Sequence, residues 1–125
     1  MSGQLRPGTR RADDRGSATI WAVGGIAVSC LVAAVALVCG TVVQTRHRTT
    51  SAADLAALAA AVYAPYGQQA ACARANWVAD QMRVHVTRCR LSDWDALVEV
   101  SGALPGELAR FGPVTAHSRA GPADP

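Results

Sequence analysis

The stretch SATIWAVGGIAVSCLVAAVALVCGTVVQT, residues 17–45, decides how this chain is read, because it holds no charged side chain. Between Ile20 and Val43 it is a nearly continuous apolar series, broken only by Gly24, Gly25, Ser29, Gly40 and Thr41. A helix needs about 20 residues to cross a hydrocarbon layer of roughly 30 Å, and glycine is tolerated there because helical backbone bonds persist where no water competes. Burying the same segment in a water-soluble core would need a surrounding shell, and a chain of 125 residues is too short to supply one. Residues 17–45 are therefore predicted to be a transmembrane helix.

The flanks suggest its direction. Arg6, Arg10, Arg11 and Arg15 precede the helix, against Asp13 and Asp14, while only Arg46 and Arg48 closely follow it. By the positive-inside rule, residues 1–16 form a cytoplasmic basic leader and the larger C-terminal portion is extracytoplasmic, making a single-pass protein of the cell membrane whose first partner is the lipid bilayer. Two export signals compete with a permanent anchor: Arg10-Arg11 as a twin-arginine motif, and Ala34-Val35-Ala36 as a signal-peptidase site. Asp13 and Asp14 stand where an export motif prefers apolar residues, and the apolar series continues past Ala36 to Val43, so the anchor is the better reading.

All 12 basic residues are arginine, the acids number 9, and the formal charge is +3. Beyond residue 45 arginines and acids nearly balance, without the concentrated positive face that nucleic acid requires, so no nucleic-acid partner is expected. Cys30 and Cys39 fall on opposite sides of the helix at 100° per residue and read as small apolar filler. Gly24, Gly25, Ser29 and Ala33 share a small-residue surface that would let a second helix approach.

After the membrane, residues 46–64 are predicted to continue the helix as an extracytoplasmic extension. Ser51 to Val62 has strong helix propensity, Ala52, Leu55, Leu58, Ala59 and Val62 recur at helical spacing, and no proline interrupts Thr19 to Ala64. Asp54 is the one charge on this alanine surface, with no basic residue three or four positions away. It is a candidate partner contact, against the plainer readings of a solvated residue or a cap.

Pro65-Tyr66-Gly67 marks a turn, and residues 65–120 read as a small α+β domain. Gln68 to Arg83 is a second helix with Ala71, Cys72, Ala75, Val78, Ala79 and Met82 toward a core. Val84 to Leu91, Ala96 to Val100 and Val114 to Ala120 alternate as strands of a three-stranded antiparallel sheet, with Ser92-Asp93 as a turn and the link from Gly102 to Gly112 as a loop. Residues 121–125 read as a tail. Cys72 on the helix and Cys89 on the first strand are expected to form a disulfide in an oxidising compartment, closing a loop that stabilises by about 3 kcal/mol. A zinc site from Cys72, Cys89, His85 and His117, or a Cys/His nucleophile pair, lacks the close spacing such chemistry uses. No phosphate loop, triad or paired-carboxylate motif is present, so no enzyme, cofactor, metal or small-molecule substrate is expected. Trp77 and Trp94 are candidates for ligand recognition if the domain is a binding module, and Trp94 reads more simply as core packing.

Arg15-Gly16-Ser17-Ala18-Thr19, the apolar helix, Arg46-His47-Arg48 and the run from Ala52-Ala53-Asp54-Leu55 to Ala61 together resemble the TadE-like pilus-assembly proteins. Cys72, Cys89, Trp94-Asp95 and Ala120-Gly121-Pro122 look like an actinobacterial TadE-like group found beside secretion and helicase genes. The resemblance implies a minor pilin or pseudopilin, or an assembly component, of a tight-adherence (Flp-type) pilus or related secretion apparatus, with pilus or secretion assembly proteins or other pilin-like subunits as partners. It also implies Gly16–Ser17 as the prepilin-peptidase junction. Pilins usually carry glutamate five residues after the cut, where this chain has Trp21, which makes a membrane-resident assembly factor the rival form of the same reading. The alternative of another class is a secreted or membrane-tethered extracytoplasmic binding domain.

Overall fold

The computed structural model describes Gly3 and residues 11–122, with side chains in the first helix described from Gly16 onward. The leader assigned to residues 1–16 and the last residues of the tail fall largely outside that range. The described elements are helix α1 (Arg11–Val62), a 3-10 turn (Ala64–Tyr66), helix α2 (Gln68–Gln81), strands β1 (His85–Ser92) and β2 (Asp95–Gly102), a second 3-10 turn (Gly106–Phe111) and strand β3 (Val114–Ala120). The fold class is α+β as predicted, with the three strands antiparallel in the order β1-β2-β3. The Gly102–Gly112 link, expected to be a loop, contains the second 3-10 turn.

Contacts divide the chain into residues 1–38 and 39–125, and each unit has its own logic. In the first, every residue from Gly16 to Val38 is exposed, including Ile20, Val28, Leu31 and Val35. Ser29, near the middle of this apolar segment, folds its polarity back onto the helix, its hydroxyl donating to the Gly25 carbonyl at 2.8 Å. A helix apolar all round and covered by nothing of its own is built for lipid. Residues 16–62 contain a span long and apolar enough to cross a membrane, as a single-pass protein requires.

The second unit is organised around alanine. Ala52, Ala53, Ala56, Ala57 and Ala60 of α1 join Ala71, Ala75 and Ala79 of α2 and Val84, Ala96, Val98 and Val100 of the sheet region in one buried cluster. An alanine removes little more than a methyl from water, roughly 0.8 kcal/mol, against about 1.5–3 for valine or leucine, so this core relies on close backbone approach rather than bulk. Thr49 and Gly102 show how close that approach is. Thr49 is fully buried and its hydroxyl donates to the Thr45 carbonyl at 2.8 Å. A Cβ placed on Gly102 would come within 2.5 Å of that oxygen, so only glycine lets the end of β2 lie there.

The second helix stops by a backbone device. Arg83 takes φ 58°, and the amides of Arg83 and Val84 donate to the Asp80 and Ala79 carbonyls, both at 3.1 Å. This is the Schellman arrangement, with arginine where glycine is usual. The chain then enters β1, where the pairing slips between Val86 and Arg88. The extra residue, Thr87, donates its hydroxyl to the Glu99 carbonyl at 3.3 Å. This bulge puts both Val86 and Cys89 on the inner face, although an odd spacing in a regular strand would send them to opposite sides. The inner face then reads Val86, Cys89 and Leu91 on β1, opposite Val100, Val98 and Ala96 on β2. β3 completes it with Ala116, Ser118 and Ala120.

Candidate interaction site

The structure assigns the two faces of the α1 extension differently from the periodicity. Ala52 is buried as expected, but Leu55 and Val62 are exposed and Leu58 is 57% exposed, while alanines at positions 53, 56, 57 and 60 are fully buried. The correction follows from packing distance: α2 and the sheet come so near that only methyl-sized side chains fit between them, and the leucines are left on the far side. The result is an apolar strip of Leu55, Leu58 and Val62 on residues that follow the Arg46–Arg48 pair and are uncovered by their own domain.

Asp54 is exposed beside this strip. It lines a depression of about 350 Å³ together with Leu58, Ser118, Arg119, Ala120 and Gly121. The structure thus brings Asp54 near a cation from β3 that no sequence spacing indicates. Arg119 is engaged in turn by an ion pair with Asp95, so Asp54 has at hand a guanidinium already held by another acid.

Cys72 and Cys89 are bonded, with Cα atoms 5.8 Å apart, tying α2 to β1. With both sulfurs used in that bond, neither can serve as the thiolate of a zinc site or as a nucleophile. Among the described residues no three His, Cys, Asp or Glu side chains are placed to share a metal ion. Cys30 and Cys39 are exposed thiols on α1. Gly16 and Ser17 lie within α1, both exposed, so a peptidase acting between them would have to unwind the helix locally.

The tryptophans also depart from expectation. Trp94, read as core, is 62% exposed at the β1–β2 turn. The two-residue link Asp93–Trp94 leaves its side chain no strand position from which to reach the inner face. Trp77 is half exposed on α2, with the Arg74 guanidinium 4.2 Å from its ring centroid and 5.7 Å from that of Tyr63. Tyr63 and Tyr66 lie 5.9 Å apart, so an aromatic group surrounds Arg74 at the corner between α1 and α2. These exposed aromatic and apolar groups offer contact surface.

Fold and surface together define a helix-anchored α+β protein. Residues 16–63 match the sequence model of the Tad family, described as "Putative Flp pilus-assembly TadE/G-like", so the TadE-like recognition holds over the apolar helix and its alanine-rich extension. The protein named Apoptosis inhibitor Rv3654c of Mycobacterium tuberculosis (strain ATCC 25618 / H37Rv) is 56% identical over 52 residues, covering 42% of this chain and 62% of that protein. The match thus spans less than two thirds of that relative's length. No solved structure matches the chain.

Proposed function

We propose that this chain is a minor-pilin-like or pseudopilin-like component of a tight-adherence pilus or a related secretion apparatus, working by helix packing and protein contact. The observation that carries the reading is the uncovered strip Leu55, Leu58 and Val62, which continues the family-matched helix beyond the lipid-suited segment. Large apolar side chains at such i, i+3, i+7 positions are the usual anchors by which one helix seats against another. Left in water, each would forgo roughly 1.5–3 kcal/mol of burial, so a partner that covers them gains substantially.

In this proposal the basic leader is cytoplasmic, residues 17–45 cross the membrane, residues 46–64 extend the helix outside, and residues 65–120 form the disulfide-linked outer domain. Gly16–Ser17 is the proposed processing junction and Asp54 a proposed partner contact. Removal of the leader would produce a chain beginning at Ser17; a chain beginning at Met1 or Ser2 would mark an unprocessed, membrane-resident assembly factor. A photo-reactive amino acid at position 58 of the full chain, expressed with its own pilus-assembly proteins, tests the central claim. Irradiated membranes should yield an adduct with another membrane subunit, and absence of any protein adduct there would overturn it. The tethered binding domain remains the second reading, favoured by the Trp77, Arg74 and Tyr63 surface group.

A further inference from the structure

The outer face of the sheet carries a second feature, which shares Arg119 with the depression beside Asp54 but holds no residue of α1. Across the strands, Arg90, Leu97 and Arg119 stand in one row and Arg88, Glu99 and His117 in the next. Their side chains line a depression of about 390 Å³. The arginine stems and His117 make its walls, and Leu97, 40% exposed on the central strand, lies on its floor. Charge in this depression is not balanced. Arg119 pairs with Asp95 and Arg88 lies 3.9 Å from Glu99, but Arg90 has no ion pair among the described residues. A basic wall around an apolar floor selects an occupant that is both apolar and anionic.

Such an occupant exists on the same molecule. The β1–β2 link is Asp93–Trp94, with Asp93 fixed at φ 54° and Trp94 62% exposed, so an acid and an indole project together from a short, stiff tip. The tip adjoins Arg119 at the edge of its own depression but does not line its floor. Leu97 lies three residues along the same hairpin, about 10 Å from Trp94, and a two-residue link has no slack to fold back across it. A volume of 390 Å³ is within the roughly 300–1,000 Å³ of ordinary binding pockets and accommodates an indole.

We propose that the Asp93–Trp94 tip of one copy of this protein docks in the arginine-walled sheet depression of a second copy, with the indole over Leu97 and Asp93 beside Arg90. Tryptophan and arginine are the residue types that most often dominate contact energies, and arginine also stacks favourably on an indole face. Tip and depression adjoin through Arg119, so two copies can exchange tips reciprocally in one two-fold contact. The contact does not use Leu55, Leu58 or Val62.

The test uses the full chain in membranes with a photo-reactive residue replacing Trp94. Irradiation should produce an adduct of two copies whose cross-linked peptides join the tip to segments holding Leu97 or His117. No self-adduct, or an adduct only to other proteins or other segments, overturns the proposal. Arg90→Asp and Asp93→Arg should each lower the self-adduct yield roughly fivefold, the scale of one surface charge pair, and their combination in one chain should restore it. Asp93→Asn, which keeps a residue suited to positive φ, should lower it without reversing charge. An intact Cys72–Cys89 bond in every variant shows that the domain has folded. Unchanged yield in the single variants, or failure of the charge swap with the bond intact, overturns the proposed pairing. Leu55→Asp, on the strip but lining neither depression, should leave the self-adduct unchanged, so loss of the helix partner and loss of this contact are read separately.

Discussion

Residues 20–38 and residues 49–62 belong to the same helix and are both rich in alanine, yet they solve different problems. The first stretch turns large and small apolar side chains outward in all directions, and nothing in its own unit covers them. The second sorts them, with Ala52, Ala53, Ala56, Ala57 and Ala60 inward and Leu55, Leu58 and Val62 outward. Hydrophobicity by itself therefore does not say what a helix buries. In lipid, bulk and exposure are compatible; against a close protein neighbour, smallness is the condition of burial.

The comparison breaks most severely in the membrane segment. Val32→Arg should raise the cost of membrane insertion by about 2.5–3.5 kcal/mol, seen as loss of the carbonate-resistant membrane fraction, whereas Leu58→Arg should leave that fraction intact. Equal losses would erase the distinction between the two stretches. Removing the bond that holds α2 against β1, with Cys72→Ala and Cys89→Ala together, should lower the denaturant stability of the C-terminal α+β domain by about 3 kcal/mol without altering insertion.

Within the extension, Ala56→Leu should destabilise by about 1–3 kcal/mol through overpacking, measured by the shift of the denaturation midpoint in detergent. Its neighbour Leu55→Ala should stay within roughly 0.5 kcal/mol of the parent. The reverse ranking would mean that the leucines, not the alanines, face the core. Gly102→Ala belongs with Ala56→Leu, since its new methyl meets the Thr49 hydroxyl; a loss of about 1–3 kcal/mol is expected. The smallest effect is a gain. Arg83→Gly should raise stability by about 0.5 kcal/mol by relieving the positive φ at the end of α2, with no change at the Leu58 cross-linking site.

Much of this architecture is legible in the amino-acid order. An uncharged stretch of membrane length, helix formers up to Pro65, and alternation after Val84 lead to the helix, helix, strand sequence actually present. The surfaces are less legible for local reasons. Trp94 reads as core because tryptophan is apolar, but its place in a two-residue turn keeps it out. Cys89 and Leu91 are out of phase with Val84 and Val86, and only the bulge at Thr87 brings Val86, Cys89 and Leu91 to one face. No turn residue or proline announces that bulge. Asp54 and Arg119 are far apart in the chain, and the depression they share forms only when β3 lies beside α1.

The sequence by itself determined that residues 17–45 suit lipid, that two helices precede three strands, and that the first helix runs unbroken to the turn before Pro65. Those properties follow from charge, length and period, which are local. The tertiary structure decided which face of the extension turns inward, where the strand register slips and that Trp94 stands in solvent at the tip of a hairpin. The first depends on how closely a neighbouring backbone approaches, and the other two on which strand residues pair, and both are settled only when separate elements meet.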